Sequence, residues 1–319
     1  MSIIISSRYL SVELAMRFLV EIFADISSFW NMTDKIMFLV AKNKVNPRKV
    51  KFNYPELLQS IDLINWAILN TRVDVLSIDT HLVANGNLDG LVYIRQKKYT
   101  IDGTLCKTAA EHGQLETLKF LHEHGFHWDE KAFTMAASHG HLKCLKYLHE
   151  NSCPWNEYIC AIAASRGHLK CLKYLHEQGY PWDKRTCMFT SENGQLECLK
   201  YLHENGCPWS KMTCTLAASH GHIECLRYAH ENGCPWNEDT CAGAVASHGN
   251  LEILKYAHEN SCPWNEIVCT MAARFGHLDC LKYAHENGCP WNYQTIDVAI
   301  EYGHQDCYTY AIENGCPTN

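Results

Sequence analysis

The apolar and polar residues of this chain follow a helical spacing that returns every 27 residues. In the stretch 210–236, Cys214, Ala217 and Ala218 lie three and four residues apart, which places them on one face of a helix. A second apolar set, Ile223, Leu226 and Ala229, has the same spacing. Each unit is therefore predicted to contain two short helices, each with one buried face.

Glycine, proline and capping residues mark the ends of these helices. Gly221 follows the first helix and suits a left-handed terminus, and Pro235 prevents the second helix from continuing. The residue after each tryptophan has a side chain that can accept an amide of a first helical turn. These residues are Asp129, Asn156, Asp183, Ser210, Asn237, Asn265 and Asn292.

One unit carries an extra residue between Cys241 and Gly249. Insertions within a helix are often absorbed as a π-bulge, and Gly243 would ease one. We therefore expect a π-bulge in this first helix and a local bend in the array.

The repeated unit resembles an ankyrin repeat. The stretch AASHGHIECLRYAHENG, residues 217–233, is similar to the AAxxGHLExVKxLLExG core of that family, and CPWN occupies the place of its ADVN. The family's usual unit has about 33 residues, and the deficit here falls where its β-hairpin finger lies. The resemblance implies an all-α helix-turn-helix solenoid with short or absent β-hairpin fingers. The CPWN motif and the 27-residue step are most similar to ankyrin proteins of giant viruses that infect amoebae.

Three segments are predicted from the phase of the repeat. Regular units span residues 101–319, and degenerate units span 55–100. Residues 1–54 have helical apolar spacing and are predicted to form a cap for the first repeat. The opening LSVEL also resembles the LPxEL of an F-box, with Ser11 in the place of proline, although no tryptophan-containing downstream half is recognisable. That resemblance implies, as an alternative, a substrate adaptor for a ubiquitin ligase.

The 18 cysteines fall into three columns: one in the first helix, one in the second helix and one in the CPW loop. Other residues in the same columns include Phe133, Ile253 and Ile296, which a ligand column would not tolerate. Pairs such as His203 and Cys207 have spacing that can hold zinc, but a glycine between them ends the helix. We therefore interpret the thiols as core residues, with no metal or cofactor, in a reducing compartment.

The histidines of the GH pairs and the tryptophans have structural interpretations. We expect the GH histidines (His141, His168, His222, His277 and His304) to bond loop backbone rather than to act chemically. The tryptophan before each cap is placed to pack across the loop onto its own or the next unit.

No catalytic motif stands out, because the Ser, His and acidic residues recur with the period. Stacked repeats create a concave surface, so a non-enzymatic scaffold that binds an unidentified protein, for instance a host protein, is predicted. The net charge of −7 and the lack of a basic stripe argue against nucleic acid, and no long apolar run suggests a membrane partner. We expect a monomer in the cytoplasm, that of the host cell if the protein is viral.

Two variable columns of the first helix are the candidate partner-binding residues: the second position after the cap and the position before the first glycine. Both should project toward the concave side, and aromatic residues and arginine are frequent binding anchors. The candidates are Tyr158, Arg185, Met212, Ile267, Arg166, His220, Phe275 and Tyr302.

Overall fold

The computed structural model describes residues 75–96, 104–246 and 248–318. The chain divides into two compact units, Met1–Trp128 and Asp129–Asn319. The predictions for residues 1–54 lie outside the described residues, and the proposed segment boundaries stay predictions.

All regular structure in the described residues is helical, so the all-α prediction is confirmed and strand fingers are absent from these ranges. The first unit contains α1 (Val75–Ala84), α2 (Leu88–Gln96), α3 (Leu105–Glu111) and α4 (Leu115–Glu123). The second unit contains α5 (Glu130–Ser138), α6 (Leu142–Glu150), α7 (Ile159–Ser165), α8 (Leu169–Glu177), α9 (Lys184–Glu192), α10 (Leu196–Glu204), α11 (Lys211–Ser219), α12 (Ile223–Glu231), α13 (Glu238–Ala246), α14 (Leu251–Glu259), α15 (Glu266–Arg274), α16 (Leu278–Glu286), α17 (Tyr293–Glu301) and α18 (Gln305–Glu313). Odd-numbered helices are the first helices of the repeats, and even-numbered helices are the second.

The predicted capping residues directly precede most of the first helices, but α7 begins three residues after Asn156, at Ile159. Their side-chain oxygens accept the amide two residues later at 2.8–3.1 Å, which satisfies a donor of the first turn, in Asp129, Asn156, Asp183, Asn265 and Asn292. Asn237 differs, because its side-chain amide donates to the Asp239 carboxylate at 2.8 Å.

Helices of the same kind pack on one another along the second unit: first helices on first helices, and second on second. The face predicted for α11 is buried at Cys214, Ala217 and Ala218. On α12, Leu226 and Ala229 are buried as expected, whereas Ile223 is only partly buried. The small alanine side chains let neighbouring first helices approach closely.

The predicted π-bulge at Gly243 is wrong, because α13 is a regular α-helix of nine residues, like α11. The extra residue falls in the turn that follows, where the Asn250 amide bonds Ala244 O at 2.9 Å, one residue further back than the matching bond from His222 to Ala217 O. A Cβ at Gly243 would meet the Thr215 carbonyl oxygen at 3.2 Å. This close contact with α11 favours a regular helix, and a turn absorbs an insertion without losing helical hydrogen bonds. The predicted bend stays a prediction.

Candidate partner-binding surface

Tyr158 and Arg185 form one cluster on the exposed side of the first helices. Arg185 Nη1 donates to the Tyr158 hydroxyl at 2.8 Å, and its guanidinium carbon lies 4.5 Å from the centre of the Tyr158 ring. Asp183 fixes this geometry, because Arg185 Nε donates to its carboxylate at 2.8 Å. That hydrogen bond holds the pKa of Asp183 below its usual value. The arginine is therefore preorganised while its side chain remains 43% exposed.

A second cluster contains Phe275 and Tyr302, which are 44% and 46% exposed. Arg274 joins them: its Nη2 donates to the Tyr302 hydroxyl at 2.9 Å, and its guanidinium carbon lies 4.9 Å from the Tyr302 ring centre. Ile267, at the start of the same helix α15, is 40% exposed. Sequence reasoning missed Arg274, whose partner lies 28 residues away. The only signal was the aromatic residue at the end of α17.

The other candidates do not join these clusters. Met212 is partly buried and Arg166 is exposed. His220 Nδ1 lies 3.1 Å from Leu216 O, and its Nε2 lies 3.8 Å from a Glu192 carboxylate oxygen. In the stack, α11 and α13 lie between the two clusters.

Phe189 in α9 is a further exposed aromatic residue that the sequence analysis did not select, with 40% of its surface accessible. Its column contains Met135, Ile162 and Leu216, all partly exposed. This recurrence of apolar residues could have indicated the position. We call the exposed residues of the odd-numbered helices in the second unit the first-helix face.

The thiols are free and buried at all 18 positions, so their interpretation as core residues is confirmed. Each loop-column thiol donates across the repeat to the carbonyl oxygen of the preceding cap residue, at 3.2–3.4 Å. The donors are Cys153, Cys207, Cys234, Cys262, Cys289 and Cys316. Within the described ranges, no three His, Cys, Asp or Glu side chains are grouped to hold a metal ion.

Burial makes three thiols of the second-helix column weak acids. Desolvation raises the pKa of Cys144 and Cys171 to about 11 and that of Cys225 to about 12. A thiol is a nucleophile or a metal ligand only as the thiolate. These three side chains are therefore unreactive at neutral pH, as packing residues should be.

The tryptophans pack across their loops as predicted, in an arrangement that we call the aromatic ladder. His203 stacks on Trp209 with ring centres 4.0 Å apart, and Tyr228 of the next unit meets both rings edge-on. The Tyr228 hydroxyl lies 3.1 Å from His203 Nδ1. The same stacking recurs at His176, His230, His258 and His285.

Two of the five GH histidines bond backbone as expected, whereas the prediction is wrong for His277, whose Nε2 is buried without a hydrogen-bond partner among the described residues. His168 Nε2 lies 2.9 Å from Ser138 O, and His222 Nε2 lies 3.0 Å from Glu192 O. Both contacts join one repeat to the end of the preceding first helix, so these side chains have a structural role.

Tyr180 interrupts the aromatic ladder, because it stands where most loops have cysteine. Its hydroxyl lies 2.7 Å from His149 Nδ1, and Trp155 packs edge-on against its ring at 4.8 Å. Trp155 is consequently 44% exposed. A cavity of about 600 Å³ opens here, lined by His149, Ser152, Cys153, Pro154, Trp155, Gln178, Gly179 and Tyr180.

Acidification is expected to destabilise the stack. Burial lowers the pKa of His230 and His277 below the ordinary value of 6.5. Below pH 6.5 the unfolded chain thus binds more protons at these sites than the folded chain, and the free energy of unfolding falls. Melting curves at pH 7.5 and 5 and constant ionic strength measure this loss. A variant with His230→Phe and His277→Gln should lose less stability between pH 7.5 and pH 5, because neither replacement binds a proton. Glutamine is tolerated at the GH position, where Gln195 stands in another unit. Equal losses in the variant and the wild type would contradict the assignment of the acid sensitivity to these two histidines.

Comparison with known proteins agrees with the helical repeat. A model of ankyrin repeats in many copies matches residues 106–149 and 214–258, and a model of three ankyrin repeats matches residues 133–213. Among 136 matching chains of known structure is the ankyrin repeat domain of human ASB11. It is 19% identical with a TM-score of 0.43, over 50% of this chain and 84% of that one. Comparison with curated proteins gives no match.

The described helices also bear on membrane association, since none of them is long and apolar enough to cross a bilayer. The matched residues run without a gap from 106 to 258, and the helix pairs continue beyond them to Glu313. The chain therefore contains ankyrin repeats, and its described part has an all-helical ankyrin repeat fold.

Proposed function

We propose that this protein is a non-catalytic scaffold that captures a partner protein on the first-helix face, which we take to be the concave side of the solenoid. The observation that carries the proposal is the pair of exposed aromatic clusters there, each with an arginine oriented by its neighbours. Ankyrin repeats generally serve protein–protein interaction, which supports the class of function.

The chemistry of these clusters favours binding. Phe275, Tyr302 and Ile267 keep large apolar surfaces in water, and covering such surface would stabilise a complex by roughly 25 cal/mol per Å². Tyrosine and arginine are the residues that most often dominate interface energies. Arg185 is already held by Tyr158 and Asp183, so little side-chain entropy would be lost on binding.

The similarity of the CPWN units to those of giant viruses suggests a host protein as the partner and the host cytoplasm as the location. We propose that the chain acts as a monomer. The F-box-like opening favours a second function, in which residues 1–54 recruit a ubiquitin ligase and the repeats present its substrate. Pull-downs with and without residues 1–54 distinguish the two, because only the adaptor loses the ligase on truncation.

Alanine at Tyr158, Arg185 and Phe275 together is expected to abolish partner capture and to leave the melting temperature unchanged. The first two residues contact each other, so removing both leaves no buried group unpaired. Affinity capture from host lysate followed by mass spectrometry compares the variant with the wild type.

The matched control replaces Glu224, Glu259 and Glu286, exposed residues of second helices, with alanine. It should retain the captured protein. Undiminished capture by the Tyr158, Arg185 and Phe275 variant would remove the first-helix face from consideration.

A further inference from the structure

The second helices carry a regular pattern of charge on their exposed side. Their fifth residue is basic in seven successive units: Lys119, Lys146, Lys173, Lys200, Arg227, Lys255 and Lys282. Their second residue is acidic in seven units: Asp89, Glu116, Glu197, Glu224, Glu252, Asp279 and Asp306. Where both are present the two can pair, as Lys200 Nζ and Glu197 do at 2.8 Å. The usual second helix is thus locally acidic, because another glutamate ends it.

Two neighbouring helices break this pattern. In α6 and α8 the second residue is lysine, so Lys143 and Lys170 stand where other units have a carboxylate. Four lysines of these two helices are exposed: Lys143, Lys146, Lys170 and Lys173. Within the described residues, no ion pair involves any of them. We call these four residues the lysine patch. Against the two glutamates that end these helices, Glu150 and Glu177, the four lysines leave a local excess of two positive charges on a chain whose net charge is −7.

The lysine patch adjoins the cavity at Tyr180. Lys146 Nζ lies 5.2 Å from the centre of the Tyr174 ring, and Tyr174 meets the His149 ring edge-on at 5.8 Å. His149 lines the cavity with Trp155 and Tyr180. The basic surface and the aromatic cavity therefore form one continuous area across two repeats.

We propose that this area binds an acidic segment of a partner protein, whose carboxylates pair with the lysine patch and whose aromatic side chain enters the cavity. The occupant follows from charge complementarity: the lysines have lost the carboxylates that other repeats supply, and the incoming segment restores them. The cavity offers the ring edges of Tyr180 and the exposed Trp155, and aromatic pairs favour such edge-on contact. Its other polar side chains, Ser152 and Gln178, are uncharged and demand no counter-ion.

A short acidic peptide fits better than nucleic acid or an anionic membrane. The patch is confined to two helices, which places its lysines within about 10 Å across the stack. A long polyanion would extend over the flanking second helices, where Glu197 and Glu224 are exposed and repel it. The area lies on the second helices and does not overlap the first-helix face.

Binding is tested with a fluorescein-labelled heptapeptide of glutamates around a central tyrosine, by fluorescence anisotropy with the full chain. Replacing Lys143→Glu and Lys170→Glu installs the residue of the other repeats and should lower the affinity by about tenfold or more, since two attractions become repulsions. Raising the salt concentration from about 0.1 M to about 1 M should also lower the affinity of the wild type for the peptide, because the screening length falls from about 10 to about 3 Å. Lys143→Gln with Lys170→Gln, which only neutralises the charges, should give a smaller loss.

Two comparisons separate this site from general charge attraction. Lys131→Glu with Lys184→Glu makes the same change in net charge on exposed residues of first helices and should leave binding intact. Tyr180→Cys restores the usual loop residue, so Trp155 can return to the usual stack on His149 and close the cavity. This variant should therefore lose the preference for a peptide with central tyrosine over one with central alanine. Equal losses in both glutamate pairs would overturn the proposal, as would no binding by the wild type. Binding of single-stranded RNA or phosphatidylserine vesicles that needs the lysine patch, in place of the peptide, would also overturn it.

Discussion

Alanine at Gly194 is expected to lower the melting temperature by roughly 6 to 12 °C, and alanine at Gly206 by only about 2 to 4 °C. Both glycines are left-handed, with φ of +68° and +80°. At Gly194 an added Cβ would lie 2.5 Å from His222 Nδ1, whereas at Gly206 no atom lies within 4 Å. The two substitutions thus share the backbone penalty and differ in the clash with the next repeat.

The expected difference follows from the role of His222. A left-handed alanine costs about 1 kcal/mol relative to glycine, and this is the whole effect at Gly206. At Gly194 the histidine must also move, which breaks its bond to Glu192 O and leaves a carbonyl without its partner, for about 2 kcal/mol more.

Melting followed by circular dichroism measures both variants against the wild type. His222→Asn provides a control, because Asn250 occupies the same position in another unit and its Nδ2 would lie 3.8 Å from a Cβ added at Gly221. In that background the extra cost of Gly194→Ala should shrink. Equal shifts for Gly194→Ala and Gly206→Ala would show that the contact with His222 contributes nothing.

The two glycine columns also show what the sequence could predict. The column of Gly194 contains glycine in every regular unit, whereas the column of Gly206 contains Ser152 and Ser261, which have φ of +58° and +65°. The sequence predicted a left-handed turn for the first of these columns. It could not show why the first column is the stricter one, because the obstacle there is a histidine or glutamine of the following repeat, which lies 2.2–2.5 Å from an added Cβ at Gly140, Gly167, Gly194, Gly249 and Gly276.

Helices, capping residues and buried thiols were predictable because each position is seen many times in one chain. The substitutes Phe133, Ile253 and Ile296 revealed a core environment that no single cysteine could. The prediction of a π-bulge was wrong because the regular helix is favoured by the close approach of α13 to α11 at Gly243. No residue pattern encodes that approach.

Tyr180 shows the limit of the same column reasoning. Tyr180 and Phe126 both replace cysteine in the loop column, and the pattern indicates only an apolar filler at that position. In the structure the length of Tyr180 carries the hydroxyl to His149, which displaces Trp155 from the usual stack and opens a cavity. Contacts between repeats, including Arg274 with Tyr302, depend on side-chain reach and rotamer, and the period does not specify these.

Serine at Cys225 is expected to lower the free energy of unfolding by about 1–3 kcal/mol, the cost of burying a hydroxyl without a hydrogen bond. The thiol is 1% exposed and makes no hydrogen bond within the described residues. Valine at the same position should cost less than about 1.5 kcal/mol, because Ile253 fills the equivalent site in α14. Chemical denaturation of the two variants measures the difference.

Serine at Cys234 provides the matched comparison, because that thiol already donates to Ser210 O at 3.3 Å and a hydroxyl can make the same bond. Its cost should be well below that of Cys225→Ser, although both positions are buried. If Cys225→Ser were neutral and Cys225→Val strongly destabilising, the second-helix thiols would need a role that depends on sulfur. The expected order instead follows from hydrogen bonding: a hydroxyl at position 234 has the Ser210 carbonyl oxygen as its acceptor, whereas the thiol of Cys225 makes no such bond within the described residues.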